Sequence, residues 1–227
     1  MKISVFGTAA VGQTLAAKLV SLGHTVKMGT RNVEKTLAKT GTQNRSETPC
    51  VADYLKANPS ITLGTYLDAA KDAELILLCT NGLGSLEALQ LAADELDGKI
   101  VLDISNATDS TKGFPPPLFI SNTSSLAETL QNAFPKTFIV KSLNTMFNGV
   151  MINPRMLSED STVFISGNNA IAKQTVKTIL HQFGWKENEI FDLGDISSAR
   201  GVESLLLAWF SIMGTLKTNA FNFKIVQ

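Results

Sequence analysis

The sequence predicts a doubly wound α/β fold, a parallel sheet with helices on both faces, followed by a small C-terminal α/β domain. Three observations carry this expectation. The opening stretch reads as strand, glycine turn, helix and strand. Short apolar runs such as Leu75, Ile76, Leu77, Leu78 then recur between segments of helical periodicity, as strands buried on both faces require. The chain of 227 residues is 44% hydrophobic and 18% charged, enough apolar material for one large domain with an appendage.

The elements follow in order. Lys2 to Phe6 form an apolar run that stops at Gly7, and Val11, Leu15, Leu19 and Leu22 recur at helical spacing until Gly23. Thr25 to Met28 is the second strand. Two strands joined through a helix in about 30 residues make a parallel crossover, whose turn leaves helix amide groups for a bound anion. A short helix after Lys35 fades into the polar stretch 40–48, where Gly41, Asn44 and Ser46 signal a loop, and residues 51–57 form another helix. A strand at 61–65, a helical turn at 66–71, a buried strand at 74–80, a helix at 85–96 and a strand at 99–105 come next. Gly113 and Pro115, Pro116 and Pro117 mark an irregular segment, then residues 124–134 form a helix closed by Pro135, and 137–143 the sixth strand.

A boundary near residues 148–154 separates a dinucleotide-binding domain of the Rossmann type, residues 1–150, from a small C-terminal domain, residues 151–227. The latter holds a strand at 161–166, a helix at 170–183, a short strand near Ile190 and a long final helix. On that helix Val202, Leu205, Leu206, Trp209, Phe210, Met213 and Leu216 keep helical spacing, while Leu207, Ala208 and Ile212 add apolar surface elsewhere. The pattern predicts a helix buried nearly all round, covered on one side by a second copy of the chain, with Arg200 and Glu203 orienting that homodimer.

The turn departs from the full glycine fingerprint. Gly7 and Gly12 stand at its first and third glycine positions, Ala9 at the second, with Thr8, Ala10 and Val11 completing the loop. About 20 residues beyond the turn an NAD site supplies an Asp or Glu to the ribose. Here the sequence reads Gly29, Thr30, Arg31, Asn32. A carboxylate there would repel a 2′-phosphate, whereas Arg31 can clasp one, Thr30 can donate a hydroxyl, and Lys35 adds charge one helical turn on. NADP is therefore the expected cofactor.

Ligands of open parallel sheets bind beyond the carboxyl ends of the strands. The strand ends here are Cys79, Thr80 and Asn81, then Ser105 and Asn106, then Asn144 and Thr145. They predict a polar slot for the nicotinamide and a second planar ring, although the same residue types also cap helices and form turns. A carbonyl reductase needs a proton donor at the hydride acceptor. Tyr54 and Tyr66 fall in the early crossover, His24 at the far end of the first helix, and Lys141 within a strand, so no catalytic side chain is assigned. Hydride transfer between two cofactors needs chiefly proximity and orientation.

Composition excludes several classes. Twenty basic residues balance twenty acidic ones with no basic run, which argues against nucleic acid. No apolar stretch approaches the 18 or so residues of a membrane span, and no cationic leader precedes a signal core, so a cytoplasmic protein without membrane contact is expected. Cys50, Cys79, His24 and His181 have no metal-ligand spacing, and no metal is expected.

The stretches GTAAVG, GTRNVEK, VKSLNTM, VFISGN and DISSARGVES, in this order over nearly the whole chain, resemble the NADP oxidoreductase family that depends on the deazaflavin coenzyme F-420. The resemblance implies a Rossmann domain with a small C-terminal domain, and hydride transfer between reduced deazaflavin and NADP. It implies phosphate binding at Gly7 to Gly12, 2′-phosphate binding at Thr30, Arg31 and Lys35, and a deazaflavin facing Leu143 to Thr145, with Asn144 where the family often carries histidine. The sequence is also similar to the cytoplasmic domain of six-transmembrane ferric reductases, in which NADPH reduces a flavin. A flavin is accordingly an alternative acceptor. Two further readings stay open: an NADPH-dependent reductase of a small carbonyl or imine, and an NADPH-binding sensor without turnover.

Overall fold

The computed structural model describes residues 1–43 and 48–226. The loop expected around Asn44 and Ser46 lies outside the described residues. The chain opens with β1 (Lys2–Phe6), α1 (Ala10–Ser21) and β2 (Thr25–Thr30), the predicted crossover. It continues through α2 (Val33–Leu37), the two-residue strands β3 (Thr42–Gln43) and β4 (Thr48–Pro49), α3 (Val51–Ala57), β5 (Thr62–Thr65) and α4 (Tyr66–Ala70). Next come β6 (Leu75–Leu78), α5 (Gly82–Gln90), β7 (Ile100–Asp103), α6 (Leu126–Ala133), β8 (Phe138–Ser142) and α7 (Asn148–Ile152). The last elements are β9 (Val163–Gly167), α8 (Ala170–Phe183), β10 (Ile190–Asp192) and α9 (Ala199–Leu216).

Eight strands form one sheet in the order β10-β9-β8-β7-β6-β1-β2-β5. From β5 across to β8 every pair is parallel, and the order reverses between β1 and β6. The carboxyl ends at that reversal form the crevice where such sheets take ligands. β9 joins β8 antiparallel and β10 joins β9 parallel, so the strands beyond residue 151 extend the same sheet. The expected boundary at 148–154 holds α7, which packs on α1.

Alternation along the strands divides the core into two layers, because successive side chains point to opposite faces. Ile3, Val5, Leu75, Leu77 and Leu102 face Leu15 and Leu19 of α1 and Val176 and Leu180 of α8. Phe6, Ile76, Leu78, Val101 and Ile139 face Ala69 of α4, Leu89 of α5 and Leu126 and Leu130 of α6. α5 starts three residues before the expected position because Asn81 caps it, its Oδ1 accepting from Gly84 N at 2.8 Å.

The final helix is covered on one side only within the single chain. Val202, Leu206 and Trp209 are buried, but Leu207 is 47% exposed and Leu216 54%. α9 therefore buries one stripe against its own chain, and the outer face, the one expected to meet a second copy, stays open within the single chain. Arg200 and Glu203, expected to orient a partner, are both engaged inside this chain. Arg200 pairs with Glu128 on α6, whose carboxyl it holds below the usual range, and Glu203 lies buried against Lys141.

Candidate functional site

The turn after β1 is built by two glycines under different demands. Gly7 has φ +117°, a left-handed backbone, and a Cβ there would meet Cys79 O at 2.7 Å. Gly12 lies in the first turn of α1, where a Cβ would come within 2.2 Å of Gly7 O. Between them Ala9 is the N-cap of α1, exposed and without a side-chain capping bond, so no side chain covers the start of the helix there. The methyl at the fingerprint's middle position projects into open space. Thr8, Ala10 and Val11 are half-buried around it, and buried Gln13 clamps the turn through Nε2 to Thr8 O at 3.0 Å and Pro49 O at 2.9 Å.

At the end of β2 the three predicted residues separate. Thr30 is buried and its Oγ1 lies 2.8 Å from Thr36 Oγ1, so its hydroxyl is already used within the fold. Arg31 and Lys35 are exposed, the latter in α2 where Asn32 Oδ1 caps Lys35 N at 2.8 Å. Arg31 is not alone: its Nη2 donates to Glu87 Oε2 at 2.5 Å, from α5. No acid stands at Gly29 to Asn32, yet the fold brings one against Arg31 from 56 residues away. Both charges act on the Tyr66 phenol, which burial pushes up while Arg31 and Glu87 pull in opposite senses.

The other strand exits meet over a cavity of about 270 Å³. Cys79, Thr80, Asn81, Ser105, Asn106 and Asn144 all line it, and Val11 joins it to the turn between β1 and α1. Thr145 is buried and does not. The closeness of these exits has a steric cause: a Cβ on Gly82 would come within 2.1 Å of Asn106 O, so α5 can start only with glycine there. Leu143 has φ +63°, a strained conformation for a leucine, at the step where β8 turns toward Asn144. Asn144 Nδ2 then donates to Asn106 Oδ1 at 2.9 Å and Val202 O at 3.1 Å, and Asn106 Nδ2 returns a bond to Asn144 O at 2.8 Å. Thr80 Oγ1 lies 2.9 Å from Ser85 Oγ. The slot is thus held rigid by its own polar groups.

One wall was missed in the sequence. Leu206, Trp209 and Phe210 of α9 line the cavity, with Trp209 stacked on Phe221 at 5.3 Å and Phe210 set edge-on to Phe114. Their spacing predicts only core and interface, since periodicity cannot say which stripe of an apolar helix meets a crevice.

Among the described lining residues only Cys79 carries an ionisable side chain, and burial, with the Asp103 charge adding, pushes its thiol far up, so it stays protonated. Tyr54 donates to Gln13 O at 2.7 Å beside α1, and burial pushes its phenol up to about 12. His24 sits between the N-terminus and Gln182. Lys141 is fully buried behind the cavity, its Nζ 2.9 Å from Asp103 Oδ2, 3.0 Å from Glu203 Oε1 and 2.5 Å from Ser105 O. Among the described residues no group of three His, Cys, Asp or Glu can hold a metal, and no helix is long and apolar enough to cross a membrane.

Comparison with known proteins points one way. The model of the family described as NADP oxidoreductase, coenzyme F420-dependent, matches residues 2–107. A solved structure from Arthrobacter sp. FB24, described as a "putative f420 dependent nadp-reductase", is 43% identical, with full coverage of both chains and a TM-score of 0.92. The F420-dependent NADP reductase of Methanocaldococcus jannaschii is 25% identical over 90% of this chain and 89% of that protein. Metalloreductase STEAP3 of Rattus norvegicus is 26% identical over 91% of this chain, which spans 36% of that protein's length.

Proposed function

The chain belongs to the coenzyme F420-dependent NADP oxidoreductase family and is an NADP-dependent oxidoreductase, and we propose that it passes hydride between NADP(H) and a planar deazaflavin or flavin. One observation carries the choice of acceptor. The cavity next to the proposed phosphate turn offers amides, hydroxyls and an aromatic wall, and among the described residues lining it the one titratable group is a protonated thiol. Such a slot can orient two rings face to face but supplies no acid for a carbonyl or imine.

The residues fit NADP at both ends. The turn from Gly7 to Gly12, with Thr8, Ala9, Ala10 and Val11, would hold the pyrophosphate, since the glycines bring the backbone close and Ala9 leaves the helix start open. Exposed Arg31 and Lys35 would hold the 2′-phosphate, with Thr30 supporting the strand end beneath them. Cys79, Thr80, Asn81, Ser105, Asn106 and Asn144 would line the nicotinamide and acceptor site, with Thr145 packed behind. When bound, the nicotinamide and the acceptor ring supply the two-electron chemistry; the chain aligns them and excludes water. In this reading residues 1–150 carry the nucleotide, and 151–227 contribute the cover through α9.

Mixing the protein with NADPH and a panel of deazaflavin, flavin, carbonyl and imine acceptors, while following the nicotinamide absorbance, tests the proposal. Oxidation is expected with a deazaflavin or flavin. Turnover of carbonyls or imines alone, or binding without oxidation, overturns it.

The open face of α9, with Leu207 and Leu216 exposed, supports a homodimer formed there. Sedimentation at micromolar concentration is expected to give a dimer that Leu207→Glu dissociates; a monomeric wild type removes the case. A cytoplasmic setting fits a reaction between freely diffusing cofactors.

A further inference from the structure

We propose that Glu87 is a specificity-determining residue, a second charge at the ribose end of the nucleotide site that opposes the 2′-phosphate and serves a ribose hydroxyl when no phosphate is present. The proposal rests on the reading of Arg31 as the 2′-phosphate ligand. Its basis is the contact of Arg31 Nη2 with Glu87 Oε2 at 2.5 Å, between the residue just after β2 and the middle of α5.

A carboxylate at the end of the second strand is the feature by which dinucleotide sites hold the ribose diol of NAD. This chain has no such acid in β2 or in the three residues after it, the next acid being Glu34 in α2, but the fold brings one against Arg31 from another element. Arg31 therefore meets a ligand with part of its charge already compensated. The dianionic phosphate of NADP(H) gains the guanidinium and loses against the carboxylate, whereas the uncharged diol of NAD(H) loses nothing and gains an acceptor. Both side chains are largely exposed, at 62% and 49%, so they can part or stay together without disturbing the core. The preference for NADP(H) is then set by the balance of the two charges rather than by Arg31 alone.

The variant Glu87→Gln keeps the shape and removes the charge. Dissociation constants for NADPH and NADH, from nicotinamide fluorescence at low ionic strength, are expected to diverge. NADPH binding should tighten about three- to tenfold, the range open to a partly screened charge near a phosphate, and NADH binding should weaken or stay level. The ratio of the two constants is the criterion. A rise in NADPH preference supports the proposal, and an unchanged or falling preference overturns it, the latter meaning that Glu87 merely props Arg31.

Arg31→Ala and the double variant separate this from failure of the parent reading. With Arg31 removed, Glu87 faces the phosphate uncompensated, so Arg31→Ala should weaken NADPH by about tenfold or more and leave NADH nearly level. Adding Glu87→Gln to it should recover part of that loss. No recovery overturns the role of Glu87 while leaving Arg31 as the phosphate ligand. Equal loss of both nucleotides in Arg31→Ala removes the phosphate reading itself, and this proposal with it.

Discussion

Lys141→Met is expected to lower the stability of the fold by about 3 to 5 kcal/mol, the cost of stripping one partner from a buried ionic cluster. Lys141 is fully buried, and its ammonium lies 2.9 Å from Asp103 and 3.0 Å from Glu203, themselves 0% and 2% exposed. Its removal leaves two carboxylates facing each other without a counter-charge. Glu203 has other support, accepting from Leu126 N at 2.9 Å and Ala127 N at 3.0 Å at the start of α6, but backbone amides do not replace a full positive charge. Burial alone would push the ammonium down; the two carboxylates outweigh it and hold the group above the usual lysine value. A folded pKa raised in this way contributes stability throughout neutral pH, and the contribution is lost only as pH rises through that raised value. Urea denaturation at pH 7 measures the effect. Lys136→Met, which breaks an exposed pair with Asp97, is the control and should barely move the midpoint. A Lys141→Met midpoint as close to wild type as the control's would mean that the cluster contributes no net stability.

The same cluster explains how the crevice keeps its shape. Asp103 Oδ1 accepts from Ser105 N at 2.9 Å and from Ser105 Oγ at 2.6 Å, and Lys141 fixes Ser105 O, so the strand exit that lines the cavity is anchored to the ions behind it. Glu203 ties α9 to the same point, and Asn144 ties it again through Val202 O. The aromatic wall of Trp209 and Phe210, two turns further along α9, is thereby held against the sheet. Lys141 is a positioning residue in this arrangement, remote from the reacting atoms.

What could be read from the sequence, and what could not, follows from how far apart the interacting residues lie. The turn between β1 and α1 was legible because its demands are local: a strand end, a left-handed glycine and a small residue in the first turn of the helix all fall between Val5 and Gly12. The doubly wound class was legible too, since short apolar runs alternating with helical periodicity leave few topologies. Helix α3 and α8 match their expected limits because each sits between clear stops, Asn58 and Pro59 in one case and Gly184 in the other. The acid beside Arg31, the wall from α9 and the partners of Lys141 were not legible. Each depends on how elements pack across a crevice, and neither periodicity nor spacing carries that. Arg200 and Glu203 show the consequence. Their place at the start of an apolar helix suggested a partner chain, but the N-terminus of α6 and a buried lysine had already taken them.

Gly12→Ala is expected to weaken NADPH and NADH alike by about a hundredfold, the loss that follows a misplacement of about 1 Å at a binding or reacting group. A Cβ at this position would lie 2.2 Å from Gly7 O and 3.0 Å from Gly7 C. Those atoms are backbone, so no rotamer change relieves the contact, and either α1 must lift away from β1 or the turn's peptide plane must move. Lifting α1 would disturb Leu15 and Leu19, which are wholly buried, at a cost of about 1 to 3 kcal/mol for overpacking. Moving the peptide would displace the loop that is proposed to cradle the pyrophosphate. Because NADPH and NADH share the pyrophosphate, the loss should not discriminate between them, in contrast to the nucleotide-selective changes expected at Arg31 and Glu87. Ala9→Gly is the companion variant: Ala9 is exposed and makes no capping bond, so the change should cost only a few tenths of a kcal/mol in stability and leave both affinities within about threefold. Fluorescence titration of each nucleotide, with circular dichroism to verify folding, reads both variants. Folded Gly12→Ala protein that binds NADPH within fivefold of wild type would show that the pyrophosphate lies elsewhere than the turn between β1 and α1.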